Sequence, residues 1–398
     1  MASDPEPFRV DIPDAEIAEL RTRLRHTRCP DPGTVSDWSQ GMPLQEVQDL
    51  CRYWSEDYDW RTTERRINKL PQFRTGIDGI RIHFLHVRSA DPAATPLVLT
   101  HGWPGSFLEF EDALPRLTDP LAHGGTAADA FHVVVPSLPG YAFSDRPASG
   151  GWDIHRIARA WCELMSRLGY PRFIAAGSDW GTSISTSIAL QHSGRLLGLH
   201  LVPPLVAPDP DPGRFTEAEQ AALRDLDERS RSGSGYSAVH STRPQTIGYA
   251  LTDSPAGLAA WIGEKLATWT DQAAGGLTRD QMLDNLSLYW FTRTAASSAR
   301  LYWESIEEVA RWFTATTSDT IDVAAGATVF PAEVPRPSRR WAERRFTRIV
   351  HWSEPAAGGH FGAWEQPERF AADLRATRRR LPADDTSARP GPYGSRQR

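Results

Sequence analysis

The stretch Gly177-Ser178-Asp179-Trp180-Gly181 constrains this chain more than any other. It follows the apolar run Phe173-Ile174-Ala175-Ala176 and precedes Thr182 to Leu190, a segment able to open a helix. Small residues two places before and two places after a reactive side chain, set between strand and helix, make a nucleophile elbow. The turn is sharp and strained, and glycine at its flanks removes a Cβ for which there is no room. Here the apex is an aspartate. A carboxylate at that position suits attack on saturated carbon, leaving an alkyl ester of the enzyme that water can cleave at the carbonyl carbon. A serine attacking the same carbon would leave an ether, which water activated by an imidazole cannot open. The expected substrate therefore carries a leaving group on sp3 carbon, an epoxide or an alkyl halide.

Around the elbow, strand and helix signals alternate. Phe73 to Val87 reads as a hairpin, and Pro96-Leu97-Val98-Leu99-Thr100, Phe131 to Val135 and Leu196 to Val202 read as buried strands. Ile154, Ile157, Ala158, Trp161, Leu164, Met165 and Leu168 lie on one helical stripe, with Asp153 as its N-cap and Gly169 as its stop. Alternation of this kind implies a mostly parallel sheet covered on both faces. Residues 1–72 read as a helical N-terminal extension packing on the core, with Asp14 capping a helix over Ile17, Leu20 and Leu24. A first part of the core spans 73–206. Residues 207–319 are helix-like and rich in Trp and Tyr, which fits a helical insertion at the loop end of a strand. The core resumes over 320–381, with strands at Thr320 to Ala324 and Phe346 to Val350 and a final helix from Pro367 to Arg380. The tail, 382–398, has a disorder-type composition.

The second chemical step needs a base and an orienting acid, which follow the nucleophile in the order acid, then histidine, in the α/β-hydrolase fold. His360, in Gly358-Gly359-His360-Phe361-Gly362, lies after the last strand and ahead of the final helix, with His351 as second choice. Glu333, in Phe330-Pro331-Ala332-Glu333, follows the preceding strand and is preferred to Asp322 and Glu343. His101-Gly102-Trp103-Pro104 ends a strand, and its small residues let the backbone N–H of Trp103 aim at a developing oxyanion. The N–H of Trp180 is the expected second donor.

With these motifs in this order, the chain resembles the epoxide hydrolases of the microsomal type. The resemblance covers roughly residues 8 to 380. Its further markers are Asp37-Trp38, Trp60, Ser241-Thr242-Arg243-Pro244 and Asp253 to Leu258. It implies an α/β-hydrolase with a helical lid and N-terminal extension, and a cis Trp103–Pro104 bond. Two lid tyrosines, Tyr302 and Tyr236, would donate a proton to the epoxide oxygen, with Tyr289 in reserve for Tyr236. A phenol suits that role, because with a pKa near ~10 it stays protonated at neutral pH yet can yield a proton to a strained alkoxide. A haloalkane dehalogenase shares the aspartate nucleophile but would hold halide with indole or amide N–H groups. A non-catalytic receptor on this fold would be expected to have lost a triad member.

Composition narrows the partners. A net charge of −6 argues against nucleic acid or an anionic membrane surface. Three scattered cysteines, Cys29, Cys51 and Cys162, give neither a disulfide framework nor a metal spacing. No signal peptide or membrane span is visible, so the expected setting is cytoplasmic and the expected partners are a small hydrophobic epoxide and water. No cofactor or metal is expected, and a homodimer is left open.

Overall fold

The structure, a computed structural model, describes residues 4–313 and 319–382. The chain enters as strand β1 (Glu6–Pro7), followed by helices α1 (Asp14–Arg25), α2 (Leu44–Glu56) and α3 (Trp60–Ile67). Asp14, expected as the cap of α1, is instead its first helical residue. Pro13 occupies the N-cap position without a side-chain bond, and the Asp14 carboxylate turns to the guanidinium of Arg61. Its charge then sits within the first turn, where the helix dipole favours it.

Strands β2 (Gln72–Ile77) and β3 (Ile80–Val87) form the expected hairpin. Its two-residue turn puts Asp78 at φ 49° and Gly79 at φ 87°, a left-handed pair matching the twist of the flanking strands. Then come β4 (Thr95–Thr100), the short α4 (Leu114–Thr118), β5 (Phe131–Pro136), α5 (Ile154–Arg167), β6 (Phe173–Ser178), α6 (Trp180–His192) and β7 (Leu196–Val202). Asp153 caps α5 by accepting the Arg156 N–H at 2.7 Å, and Ile154, Ile157, Ala158, Trp161, Leu164 and Met165 are buried along its inner stripe.

Between β7 and the next strand the described residues form six α-helices: α7 (Glu217–Ser232), α8 (Gly235–Thr242), α9 (Pro244–Asp253), α10 (Pro255–Thr268), α11 (Arg279–Thr292) and α12 (Ala295–Phe313). No strand interrupts them among the described residues. The sheet resumes with β8 (Ala325–Thr328), then α13 (Arg339–Ala342), β9 (Ile349–Ser353), α14 (Gly362–Glu365) and α15 (Pro367–Arg380).

The last two strands lie further along the chain than the sequence predicts. The β-branched run around Ile321 contributes only an isolated bridge to Phe346, and the paired strands follow at 325–328 and 349–353. β8 is made of small residues because its surroundings approach too closely for larger ones. A Cβ on Gly326 would meet Thr377 Oγ1 at 2.0 Å and His200 Nδ1 at 2.8 Å. Close packing outweighs β-propensity there. The expectation for the C-terminal tail falls on residues 383–398, outside the described residues.

The nine strands of the described residues form one sheet in the order β1-β2-β3-β5-β4-β6-β7-β8-β9. β4 to β9 run parallel, and β1 to β3 extend the sheet in antiparallel fashion beside β5. This is the α/β-hydrolase fold, with helical segments before the sheet and between β7 and β8. The N-terminal helices hold the later ones through buried polar contacts. Trp54 Nε1 donates to Ser287 Oγ at 2.9 Å, the Tyr58 hydroxyl donates to Asp284 at 2.7 Å, and Arg66 pairs with Asp284 at 2.7 Å. Among the described residues, no helix is long and apolar enough to cross a membrane.

Candidate active site

Parallel strands open at their C-terminal ends, and β6 delivers Asp179 there at φ 52°, ψ −122°. A non-glycine residue enters that region only when its surroundings hold it. The flanking glycines explain how. A Cβ on Gly181 would lie 1.9 Å from the Thr100 carbonyl oxygen, and one on Gly177 would lie 2.5 Å from it. The elbow is thus pressed against the end of β4.

The same economy of side chains operates in the turn after β4. A Cβ on Gly102 would lie 2.2 Å from Asp179 Oδ1. With none there, the Trp103 N–H donates to Oδ1 at 2.9 Å, and the Trp180 N–H donates to the same carboxylate. The Trp103–Pro104 bond is cis. Enclosure pushes the Asp179 carboxyl above its usual value, opposed by His360 and the two N–H donors.

His360 sits in the loop between β9 and α14. Its Nδ1 is 2.9 Å from Glu333 Oε2 and 3.1 Å from Oε1, while Nε2 faces Asp179 Oδ2 at 3.7 Å. Burial alone would push the imidazole down, but the Glu333 carboxylate and the charge of Asp179 raise it to about 9. The loop is fixed by the helical segment above it: His360 N–H donates to the Trp269 carbonyl at 2.9 Å, and Gly358 N–H to Asp271 Oδ2 at 2.9 Å. Gly359 is needed for that approach, since a Cβ there would meet the Trp269 carbonyl at 2.5 Å.

Tyr236 on α8 and Tyr302 on α12 complete the roof. Their rings meet edge to face at 5.8 Å. Trp103 stacks on Tyr236 at 5.0 Å, and Trp180 meets Tyr302 edge-on at 4.8 Å. Burial, reinforced by nearby negative charge including that of Asp179, raises both phenols above their ordinary pKa. Asp179, His360, Glu333, Tyr236, Tyr302, Trp180 and Trp269 line one cavity of about 480 Å³. The residues ranked second from sequence lie elsewhere. His351 pairs with Asp373 at 3.0 Å, Glu343 with Arg339 at 2.8 Å, and Asp322 accepts from Thr347 at 2.8 Å. The Tyr289 hydroxyl donates to the Gly105 carbonyl at 2.9 Å.

Two neighbours of the site went unread in the sequence. Trp269 sets its edge against His360 at 4.9 Å, and nothing in its local sequence marks it. Glu109 is buried beside the elbow, with Ser178 Oγ 3.5 Å from its Oε2, and its carboxyl is pushed up to about 8. Burial is the main cause, with the His360 charge opposing it and that of Asp179 adding to it. Its signal was present as Ser106-x-x-Glu109, a capping-box spacing, and Ser106 does cap the turn at Phe107–Phe110. Among the described residues, no cluster of three or more His, Cys, Asp or Glu could hold a metal.

Comparison with known proteins bears on the fold and the family. Residues 5–110 match the epoxide hydrolase N-terminus family, and residues 95–233 match the alpha/beta hydrolase fold family. A candidate epoxide hydrolase of Stigmatella aurantiaca is 49% identical over 381 residues, covering 95% of this chain and 85% of the relative. Epoxide hydrolase 1 of Sus scrofa is 36% identical over 399 residues, covering 93% of this chain and 87% of its own. The structure of Aspergillus niger epoxide hydrolase superposes with a TM-score of 0.85 at 32% identity, over 95% of this chain and 97% of that one. The chain belongs to the epoxide hydrolases of the microsomal type, enzymes built on the α/β-hydrolase fold.

Proposed function

We propose that this enzyme opens an epoxide to a vicinal diol in two steps through an ester on Asp179. In the first, an Asp179 oxygen attacks an epoxide carbon, the C–O bond breaks, and Tyr302 or Tyr236 protonates the departing oxygen. That oxygen stays tethered to the product, so an acid poised above it completes the ring opening. In the second, His360 takes a proton from water, which adds to the ester carbonyl of Asp179. The N–H groups of Trp103 and Trp180, which donate to the resting carboxylate, would hold the oxyanion. Collapse of the intermediate releases the diol and restores the carboxylate, and the proton on His360 returns through solvent to a tyrosine oxygen. Glu333 holds the imidazole with Nε2 facing the ester and stabilises it once protonated.

The observation that carries this reading is one cavity lined by a carboxylate, an imidazole–carboxylate pair and two phenols. Dehalogenation is the second reading, and one observation favours it: the buried indole N–H of Trp180 has no hydrogen-bond partner. A halide held there would leave the paired phenols without a function. Single turnover of styrene oxide in H₂¹⁸O, with enzyme in excess, tests the ester. Unlabelled diol should form first while label enters Asp179. Labelled diol from the first turnover would overturn the two-step route, and bromide release from a bromoalkane without epoxide opening would favour the second reading.

A further inference from the structure

Beyond the groups of the proposed chemistry, the cavity lining holds apolar side chains and one cationic side chain. Leu226, Ile306, Val309 and Phe313 form an apolar side. Arg229, one turn beyond Leu226 on α7, also enters the lining. Its guanidinium lies over the face of Trp269 at 4.5 Å, and Trp269 in turn sets its edge against His360 at 4.9 Å. A cation is thus held one indole away from the reacting centre, close enough that its charge disfavours protonation of His360 and favours ionisation of Tyr236.

Arg229 stands in the lining without a counter-ion among the described residues, while several arginines around it are paired: Arg231 with Asp227 at 2.7 Å, Arg340 with Glu219 at 2.7 Å, and Arg336 with Asp225. Lys265, the other cation against Trp269, pairs with Glu264 at 2.8 Å. Arg229 pairs with no carboxylate of the described residues. The one carboxylate in the lining besides Asp179, that of Glu333, is hydrogen-bonded to His360. A planar guanidinium fixed by stacking and free along its donor edge is pre-organised for an acceptor such as a carboxylate.

We propose that Arg229 forms an anion subsite, and that the preferred substrates are epoxides bearing a carboxylate remote from the oxirane, their apolar body lying on Leu226, Ile306, Val309 and Phe313. This rests on the epoxide-opening reading above, but it assigns the far end of the substrate rather than the chemistry. The test compares styrene oxide with its 4-carboxylate. A charge-assisted contact in the cavity predicts a kcat/KM ratio favouring the carboxylate by roughly 10- to 100-fold. The ratio should shrink as salt is raised, and it should collapse toward that of an uncharged pocket in Arg229→Gln. Because both substrates are measured on the same preparation, partial unfolding of the variant cancels. No preference in the wild type, or a preference that survives Arg229→Gln, overturns the subsite. Calorimetric binding of the carboxylated diol is the arm that does not depend on turnover. If neither epoxide reacts but this diol binds in an Arg229-dependent way, the chemistry fails and the subsite stands. If the diol does not bind, the subsite falls.

Discussion

His360 and Asp179 face each other at 3.7 Å, Nε2 to Oδ2, beyond direct hydrogen-bond reach. The other ring nitrogen is tied to Glu333 at 2.9 Å, so the imidazole is held by its acid and not by the nucleophile. This spacing leaves Asp179 free to approach carbon. It also leaves Nε2 directed at the place where water must reach an ester formed there. Attack and hydrolysis thereby use different faces of one constellation.

Separation of the two steps should be visible in variants. Asp179→Ala is expected to abolish turnover. His360→Gln keeps the nucleophile and its N–H donors, so it should still be alkylated and then stall. Intact-protein mass spectrometry after mixing with a good epoxide should find a stoichiometric adduct, localised to Asp179. Absence of any adduct, with the protein folded, would count against the ester.

On the proposed mechanism the two phenols share proton donation to the epoxide oxygen. Tyr302→Phe and Tyr236→Phe should each slow alkylation by roughly 10- to 1000-fold, less than the about 10²–10⁴-fold of a sole general acid because the second phenol remains. The hydrolytic step should be affected far less. Stopped-flow quenching of the site tryptophans would separate the two rates. An unchanged alkylation rate in Tyr302→Phe removes that residue from its proposed role.

Ester formation removes the Asp179 charge, one of the causes holding His360 up at about 9 in the free enzyme. The imidazole of the intermediate should therefore titrate below 9, which lets it act as a base near neutrality. The hydrolysis rate should rise with pH to a plateau whose midpoint lies below 9. Since Glu333 is the main group raising His360 against burial, Glu333→Gln should move that midpoint lower still. Alkylation needs ionised Asp179, whose carboxyl is raised, so its acid limb should lie above the ordinary Asp range. Both phenols are raised, so no loss of alkylation is expected up to pH 10. A hydrolysis midpoint at or above 9 would contradict this coupling.

Glu109 offers a stability test with a defined sign. Its carboxyl is raised from 4.5 to about 8, so the folded state holds a proton that the unfolded chain releases across this interval. Its contribution to stability is present below about 4.5 and is lost as pH rises toward 8. Glu109→Gln keeps the shape and removes the titration. Urea midpoints of wild type and variant should diverge with rising pH, the variant declining less between pH 5 and 8. Parallel curves would mean that Glu109 is not held protonated.

Much of the site was legible because its constraints are local. A strained elbow needs Gly177 and Gly181, an N–H aimed at Asp179 needs Gly102, and a loop pressed on the Trp269 backbone needs Gly359. Each leaves a mark within a few residues of the group it serves. Trp269 and Arg229 left none, because their positions depend on how α7 and α10 settle over the sheet. The strands around 325 and 349 were misplaced for the same reason: close contacts from α15 and β7 dictate Gly326, and propensity reads only the neighbours along the chain.

The N-terminal helices bear on the site through α11. Asp284 accepts from Tyr58 and pairs with Arg66, one residue before Asn285, whose amide donates to the Pro104 carbonyl at 2.7 Å. Tyr289, one turn further on, holds the Gly105 carbonyl. The turn that presents the Trp103 N–H is therefore braced by the helix that the N-terminal segment anchors. Asp284→Ala strands a buried hydroxyl and weakens the hold on Arg66, which keeps Glu111 at 2.8 Å. Arg66 is part-exposed and keeps a partner, so the loss is that of the buried hydrogen bonds, about 1–3 kcal/mol, and the urea midpoint should fall. Below the unfolding transition, kcat should drop more than KM rises, since the loosened element serves the transition-state oxyanion. A variant with wild-type stability and kcat would show that α11 and the Trp103 turn hold their places without this anchor.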